Sequence, residues 1–147
     1  MQKQARKQIT LYSDGSSLGN PGPGGYGGIL EYKGKRKEYS GGDAHTTNNR
    51  MELLGVIEGL RLLKEPCDVE IISDSSYVVK AINEWLEGWV RRNFAKVKNV
   101  DLWKAYLEVS APHNVTGTWV RGHNGHPENE RCDELAKYEA EKIRSTL

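Results

Sequence analysis

The chain has 147 residues, 21 Lys and Arg against 20 Asp and Glu, and a formal net charge of +1. That length fits one domain with a proper core, and the near-neutral balance excludes a uniformly basic nucleic-acid-binding protein. Two cysteines, Cys67 and Cys132, lack metal-ligand spacing, and no apolar run approaches membrane-spanning length, which together predict a reduced, cytoplasmic, non-membrane protein. Charge is nevertheless placed unevenly. Residues 86–104 carry five bases against two acids, and residues 128–147 carry six acids against four bases.

After a polar start, Ile9, Leu11 and Ser13 alternate with Thr10, Tyr12 and Asp14, the period of a strand over 9–14. The stretch Gly15 to Gly28 is dominated by Gly and Pro and predicts a tight connection into a second strand over 25–33. Lys33-Gly34-Lys35 predicts a hairpin turn into a third strand over 36–42, so the first three strands are expected to be antiparallel. Thr46 to Asn48 are candidate N-caps of a helix whose apolar positions are Leu53, Val56, Ile57, Leu60 and Leu63. Glu52, Gly55, Val56 and Gly59 share one stripe of that helix. Two interior glycines disfavour a helix by about 1 kcal/mol each, so a close approach to the sheet is expected there, with Glu52 near the first strand.

Val69–Ser73 reads as a fourth strand ended by Asp74, and Tyr77–Trp85 as a helix. The alternation that follows predicts a parallel sheet. Residues 85–98 mix aromatic and basic side chains: Trp85, Trp89, Arg91, Arg92, Phe94, Lys96 and Lys98. Asn99 to Asp101 are expected to cap a further helix, Val115–Val120 to form a fifth strand, and Pro127 to open a last helix that buries Cys132, Leu135, Ala136, Ala140 and Ile143. His126 is assigned to capping and His113 to the surface. The whole chain, 1–147, is expected to be a single domain.

Four carboxylates stand where they can converge: Asp14 and Asp74 at strand ends, Glu52 on a helix packed against the sheet, and Asp133 at the start of the last helix. Taken singly, each has an ordinary explanation as a turn, a cap or a solvated helix face. Taken together, they sit at the carboxyl ends of strands, where ligands gather in open α/β sheets. Clustered carboxylates repel unless a positive charge or proton is shared among them, and an all-oxygen donor set suits Mg²⁺, with Mn²⁺ as a substitute, rather than zinc. Two such ions about 4 Å apart form the clamp for in-line phosphodiester hydrolysis. His123, in the glycine-flanked loop Gly122–Gly125, is a candidate proton shuttle or aid to product release.

Five segments in order carry a family resemblance: Ser13-Asp14-Gly15-Ser16 with Gly19–Gly27; Thr46-Thr47-Asn48-Asn49-Arg50-Met51-Glu52-Leu53; Ser73-Asp74-Ser75; Val97–Trp103; and Trp119–His123 through His126–Ala136. Over nearly its whole length the sequence resembles type 1 ribonuclease H, in particular the bacterial ribonuclease HI group. The resemblance implies an α/β ribonuclease H-like fold: a mixed five-stranded sheet, three antiparallel strands then parallel ones, with helices on both faces. It implies Mg²⁺-dependent endonucleolytic cleavage of the RNA strand of RNA–DNA hybrids, giving 5′-phosphate and 3′-hydroxyl ends, by a monomer. Carried over by motif, Asp14, Glu52, Asp74 and Asp133 are the metal-binding catalytic acids and His123 the assisting histidine. Gly15 and Ser76 join the substrate-binding set, Asn20 and Asn48 read the RNA strand near its 2′-hydroxyls, and Asn49 touches the DNA side. Thr47 belongs to a DNA-phosphate pocket, in which His45 and Gly88 replace the arginine and asparagine of the family pattern. Trp85 with Arg91, Arg92, Lys96 and Lys98 resembles the family's basic protrusion, here a few residues shorter and with fewer lysines, and Ser76 stands where the family places a glutamine.

Alternatives from other classes are a non-catalytic hybrid- or duplex-RNA-binding domain, a domain of a larger polyprotein such as a reverse transcriptase, and a resolvase-like nuclease of the same fold. All four acids weigh against the first, Met1 and the short tails against the second, and Asn20, Asn48 and Asn49 against the third.

Overall fold

The structure, a computed structural model, describes residues 5–122 and 126–147. Five strands form one mixed sheet: β1 (Lys7–Ser17), β2 (Gly22–Tyr32), β3 (Lys35–Thr46), β4 (Cys67–Ser73) and β5 (Asn114–Trp119). Their spatial order is β3-β2-β1-β4-β5. The β1–β2 and β2–β3 pairs are antiparallel, and β1–β4 and β4–β5 are parallel. The helices are α1 (Asn48–Arg61), α2 (Ser76–Lys80), α3 (Leu86–Arg91), α4 (Val100–Ser110) and α5 (Pro127–Arg144), with a π-helical turn, Ala81–Trp85, joining α2 to α3.

The alternation read in β1 sets the layers. Ile9, Leu11 and Ser13 are buried on the side of α1, whose inward residues Leu53, Val56, Ile57 and Leu60 complete the core with Val69 and Ile71 of β4. Residue parity in β2 assigns the two faces. A Cβ on Gly27 would come within 2.6 Å of the Cys132 carbonyl oxygen of α5, whereas the Tyr26 Cβ lies towards Gly55 of α1. Helices therefore cover both faces, as expected.

Several strands run longer than their side-chain pattern suggests. β1 reaches Ser17 because Gly24 to Gly28 pair with Ser17 to Ser13 rung by rung. The Gly-rich stretch is thus partly strand, its missing side chains leaving room for α5 and for Tyr39. In α5, Cys132, Ala136 and Ala140 are fully buried, while Leu135 and Ile143 are only half-buried. His113 is half-buried rather than superficial, because its Nδ1 accepts the Cys67 backbone N–H at 3.0 Å. Both cysteines are buried and unpaired, and no described helix is long and apolar enough to cross a membrane.

Candidate active site

Strand register brings two of the acids side by side. In the parallel β1–β4 ladder Tyr12 is level with Ile72, so Asp14 and Asp74, each two residues further on, lie side by side just past the end of that ladder, Asp14 still paired with Gly27 of β2. The cap of α2 is Ser75, whose hydroxyl accepts the Val78 N–H at 3.2 Å, so Asp74 is not the capping residue. Glu52 arrives from α1. Thr47 caps that helix by accepting the Arg50 N–H at 3.3 Å, which puts Glu52 in its second turn, inward, beside β1. The glycine stripe has the expected consequence. A Cβ on Gly15 would lie 2.9 Å from the Glu52 Cα, and one on Gly59 2.7 Å from Leu11 Cδ1. Only glycine lets the helix lie this close.

Asp14, Glu52 and Asp74 each offer a carboxylate oxygen within 4.8 Å of the others'. Asp14 and Glu52 are 6% and 9% exposed. Burial, then the Asp74 charge, pushes the Asp14 carboxyl up from 3.8 to about 7. Burial, then the charges of Asp14 and Asp74, pushes Glu52 well above the usual carboxylate range. Both shifts favour the protonated carboxyls, as expected where like charges crowd in a buried site. The Gly15 N–H donates to Asp14 Oδ1 at 2.9 Å and fixes its rotamer, while Glu52 Oε2 is buried without a hydrogen-bond partner. Buried polar atoms are normally paired, so an orphaned carboxylate oxygen facing two other acids fits a hard divalent cation with oxygen ligands.

Asp133 is not among the three. Its carboxylate pairs with Lys137 Nζ at 3.0 Å, yet its charge still raises the Asp14 carboxyl, so it stands at the margin of the same field. His123 lies outside the described residues.

A polar cavity of about 260 Å³ opens beside α1, walled by Asn20, Thr47, Asn48, Asn49, Lys98 and Asn99. Asn20 Oδ1 accepts the Asn48 N–H at 3.4 Å. Asn99 was not among the sequence candidates, having been assigned to capping. It has φ 58° at the start of α4 and makes no side-chain cap. Its Oδ1 instead accepts Arg50 Nη1 at 3.3 Å, and its amide donates to the Tyr77 hydroxyl at 3.2 Å. Left-handed backbone at a non-glycine residue is the local mark of such a position, and asparagine is the residue type that tolerates it. An asparagine is therefore present beside Thr47, supplied by Asn99, while His45 and Gly88 are not among the walls.

Of the remaining candidates, Arg91, Arg92 and Lys96 are exposed on and after α3, where Asn93, Phe94 and Lys96 all have positive φ. Trp85 is 40% exposed, whereas Trp89 packs edge-on to the buried Trp103 with centroids 5.5 Å apart. Trp89 therefore belongs to the core, and Trp85 remains available to a ligand. Ser76 lies apart from the asparagine cavity, in a groove with Val79, Lys80 and Trp119.

The RNase H family model matches residues 6–141. The ribonuclease H of Sulfurovum sp. (strain NBC37-1) is 83% identical over 147 residues, covering 100% of each chain. The ribonuclease HI of Helicobacter pylori (strain ATCC 700392 / 26695) is 60% identical over 136 residues, 92% of this chain and 95% of that one. Among solved structures, LC9-RNase H1, described as a type 1 RNase H with the type 2 active-site motif, superposes with a TM-score of 0.87 at 32% identity, covering 97% of this chain and 76% of that one.

Proposed function

The chain belongs to the RNase H family, and from that premise we propose that it hydrolyses the RNA strand of RNA–DNA hybrids with divalent ions held by Asp14, Glu52, Asp74 and Asp133, leaving 5′-phosphate and 3′-hydroxyl ends. The observation that carries the proposal is the buried trio of acids with one orphaned oxygen. Three carboxylates repel a phosphodiester unless cations lie between them. Mg²⁺ bound in a pair would supply Lewis acidity and a water of lowered pKa.

The chain's own residues do the rest. The Gly15 N–H holds Asp14 in one orientation, the glycine contacts hold Glu52 against β1, and the parallel register holds Asp74 level with Asp14. In-line hydrolysis forms the bond from water oxygen to phosphorus and breaks the bond from phosphorus to O3′, which leaves the phosphate on the 5′ side of the downstream fragment. His123 takes up or returns a proton in this step. Asn20 and Asn48, joined by their own hydrogen bond, offer amides to the 2′-hydroxyls that separate RNA from DNA. Asn49 and Thr47 with Asn99 take the DNA side, and Arg91, Arg92, Lys96 and Lys98 neutralise phosphates. Exposed Trp85 packs on the sugars.

The test uses end-labelled RNA–DNA hybrid, duplex RNA and duplex DNA, each incubated with the protein and Mg²⁺. Internal cuts are expected in the RNA strand of the hybrid alone, with 3′ ends that a polymerase extends. An intact hybrid, or cut duplex DNA, would overturn the proposal.

A further inference from the structure

A groove between α2 and the end of β5 encloses about 310 Å³ and is lined by Ser76, Val79, Lys80 and Trp119. Trp119 is the last residue of β5 and is paired with Ser73 of β4. Its indole N–H donates to the Asp74 carbonyl oxygen at 3.0 Å, which fixes the ring, yet the residue is 51% exposed. Two more contacts tie this end of β5 to the acid. The Val120 N–H donates to the Ser73 carbonyl at 3.0 Å, and a Cβ on Gly122 would sit 2.7 Å from Asp74 Oδ2. Buried Val79 backs the groove against β5, its Cγ1 3.3 Å from where a Cβ on Gly117 would be. Lys80 is exposed at the rim.

An exposed indole whose only polar atom is already satisfied presents apolar π-surface and nothing else. One such ring is far too small for a protein interface, which needs on the order of 800 Å² per partner. It does suit one ribose of a paired strand, whose bases are turned inward, and a cation beside it suits the neighbouring phosphate. The sheet order puts β5 on the flank of the acids away from the β1–β2 connection, where the asparagine cavity lies.

We propose that this groove is a subsite for the RNA strand beside the cleaved linkage, in which a ribose packs on Trp119 and a neighbouring phosphate meets the Lys80 ammonium. The proposal rests on the hydrolysis argued above and extends the strand contacts to the β5 side of the acids. Because sugar and phosphate are the same for all four nucleotides, the subsite adds affinity and alignment without sequence preference.

The test compares wild type, W119A, W119F and K80A on one hybrid, with KM and kcat measured between about 50 and 200 mM salt and thermal melts alongside. W119A is expected to raise KM about tenfold with kcat altered less than about twofold, and W119F to stay within about threefold of wild type because phenylalanine keeps an apolar face for the sugar. K80A is expected to lower the slope of log KM against log salt by about one. A fall in kcat at unchanged KM in W119A, not rescued by W119F, would make Trp119 a positioning residue for Asp74 and overturn the subsite. A K80A slope equal to wild type would overturn it too, and that measurement decides alone if W119A does not fold. An uncut hybrid with wild type would instead show that the hydrolysis proposal itself had failed.

Discussion

Removing one charge from the acidic trio is expected to abolish cleavage and yet stabilise the metal-free protein. Asp14 titrates at about 7 when folded against 3.8 as a free side chain. Between those values the folded state binds more protons than the unfolded one, so stability falls as pH rises from about 4 to about 7. At about 1.36 kcal/mol per pH unit the rise corresponds to at most about 4 kcal/mol. Local relaxation and the proton shared with Glu52 reduce what is recovered to about 2 kcal/mol. In Asp14→Asn the amide oxygen still accepts the Gly15 N–H, found at 2.9 Å in the parent, and the amide N–H faces Glu52. For a chain of this size about 2 kcal/mol corresponds to about 4–8 °C in Tm. Melts followed by circular dichroism in EDTA at pH 8 are expected to show Asp14→Asn higher by that amount, with the gap closing near pH 4.5. Saturating Mg²⁺ at pH 8 is expected to narrow the gap by neutralising the wild-type carboxylates. Equal or lower stability of Asp14→Asn in EDTA at pH 8 would refute the electrostatic account of the site.

Three further outcomes follow from particular contacts. Gly15→Ala drives a methyl into the α1 backbone, 2.5 Å from the Met51 carbonyl carbon, and is expected to cost about 1–3 kcal/mol and weaken Mg²⁺ binding in calorimetry. Unchanged affinity would mean that Glu52 is not held by this contact. Arg50→Lys keeps the charge but loses the fork on Asp101, at 2.7 and 3.0 Å, and the bond to Asn99. Its expected signature is a raised KM for hybrid at near-normal kcat, and an unchanged KM would detach Asn99 from substrate binding. His113 is held below its usual pKa, first by burial and then by Arg6. Its folded form is therefore neutral, and stability falls as pH drops through about 6.5, where the unfolded chain takes up the proton first. His113→Ala is expected to cost about 1 kcal/mol at pH 8 in urea titrations and less at pH 5.5, and a pH-independent difference would contradict the Cys67 hydrogen bond.

The acids were legible because each sits where a simple period ends. Alternation in β1 and the apolar run of β4 both stop at an aspartate, and the parallel register that aligns Asp14 with Asp74 comes from the structure. Glu52 was legible through Gly55 and Gly59, whose cost in a helix interior makes sense only if a sheet lies against them. Asp133 was legible as a neighbour of the trio; helical spacing offers it Lys137 four residues on, and only side-chain reach decides between that lysine and the trio.

What the sequence hid lies where backbone geometry departs from any local pattern. Asn99 looks like a cap, and nothing in Val97–Asp101 reveals the left-handed backbone that turns its amide towards Arg50 and Tyr77. Trp119 looks like an ordinary strand residue, since the period of β5 says which way it points but not that the strand ends against Asp74. Likewise 77–85 reads as one continuous helix, but a π-helical turn occupies Ala81–Trp85. That turn lets the Asn83 amide clasp Gly117, donating to its carbonyl at 2.9 Å and accepting its N–H at 3.0 Å. The clasp satisfies both backbone groups of Gly117 on the outer edge of β5 and so blocks that point of the edge from pairing with another chain. It also ties that strand to the segment bearing Lys80, so the two sides of the groove beside Asp74 are joined by a two-point contact of the Asn83 side chain with the β5 backbone.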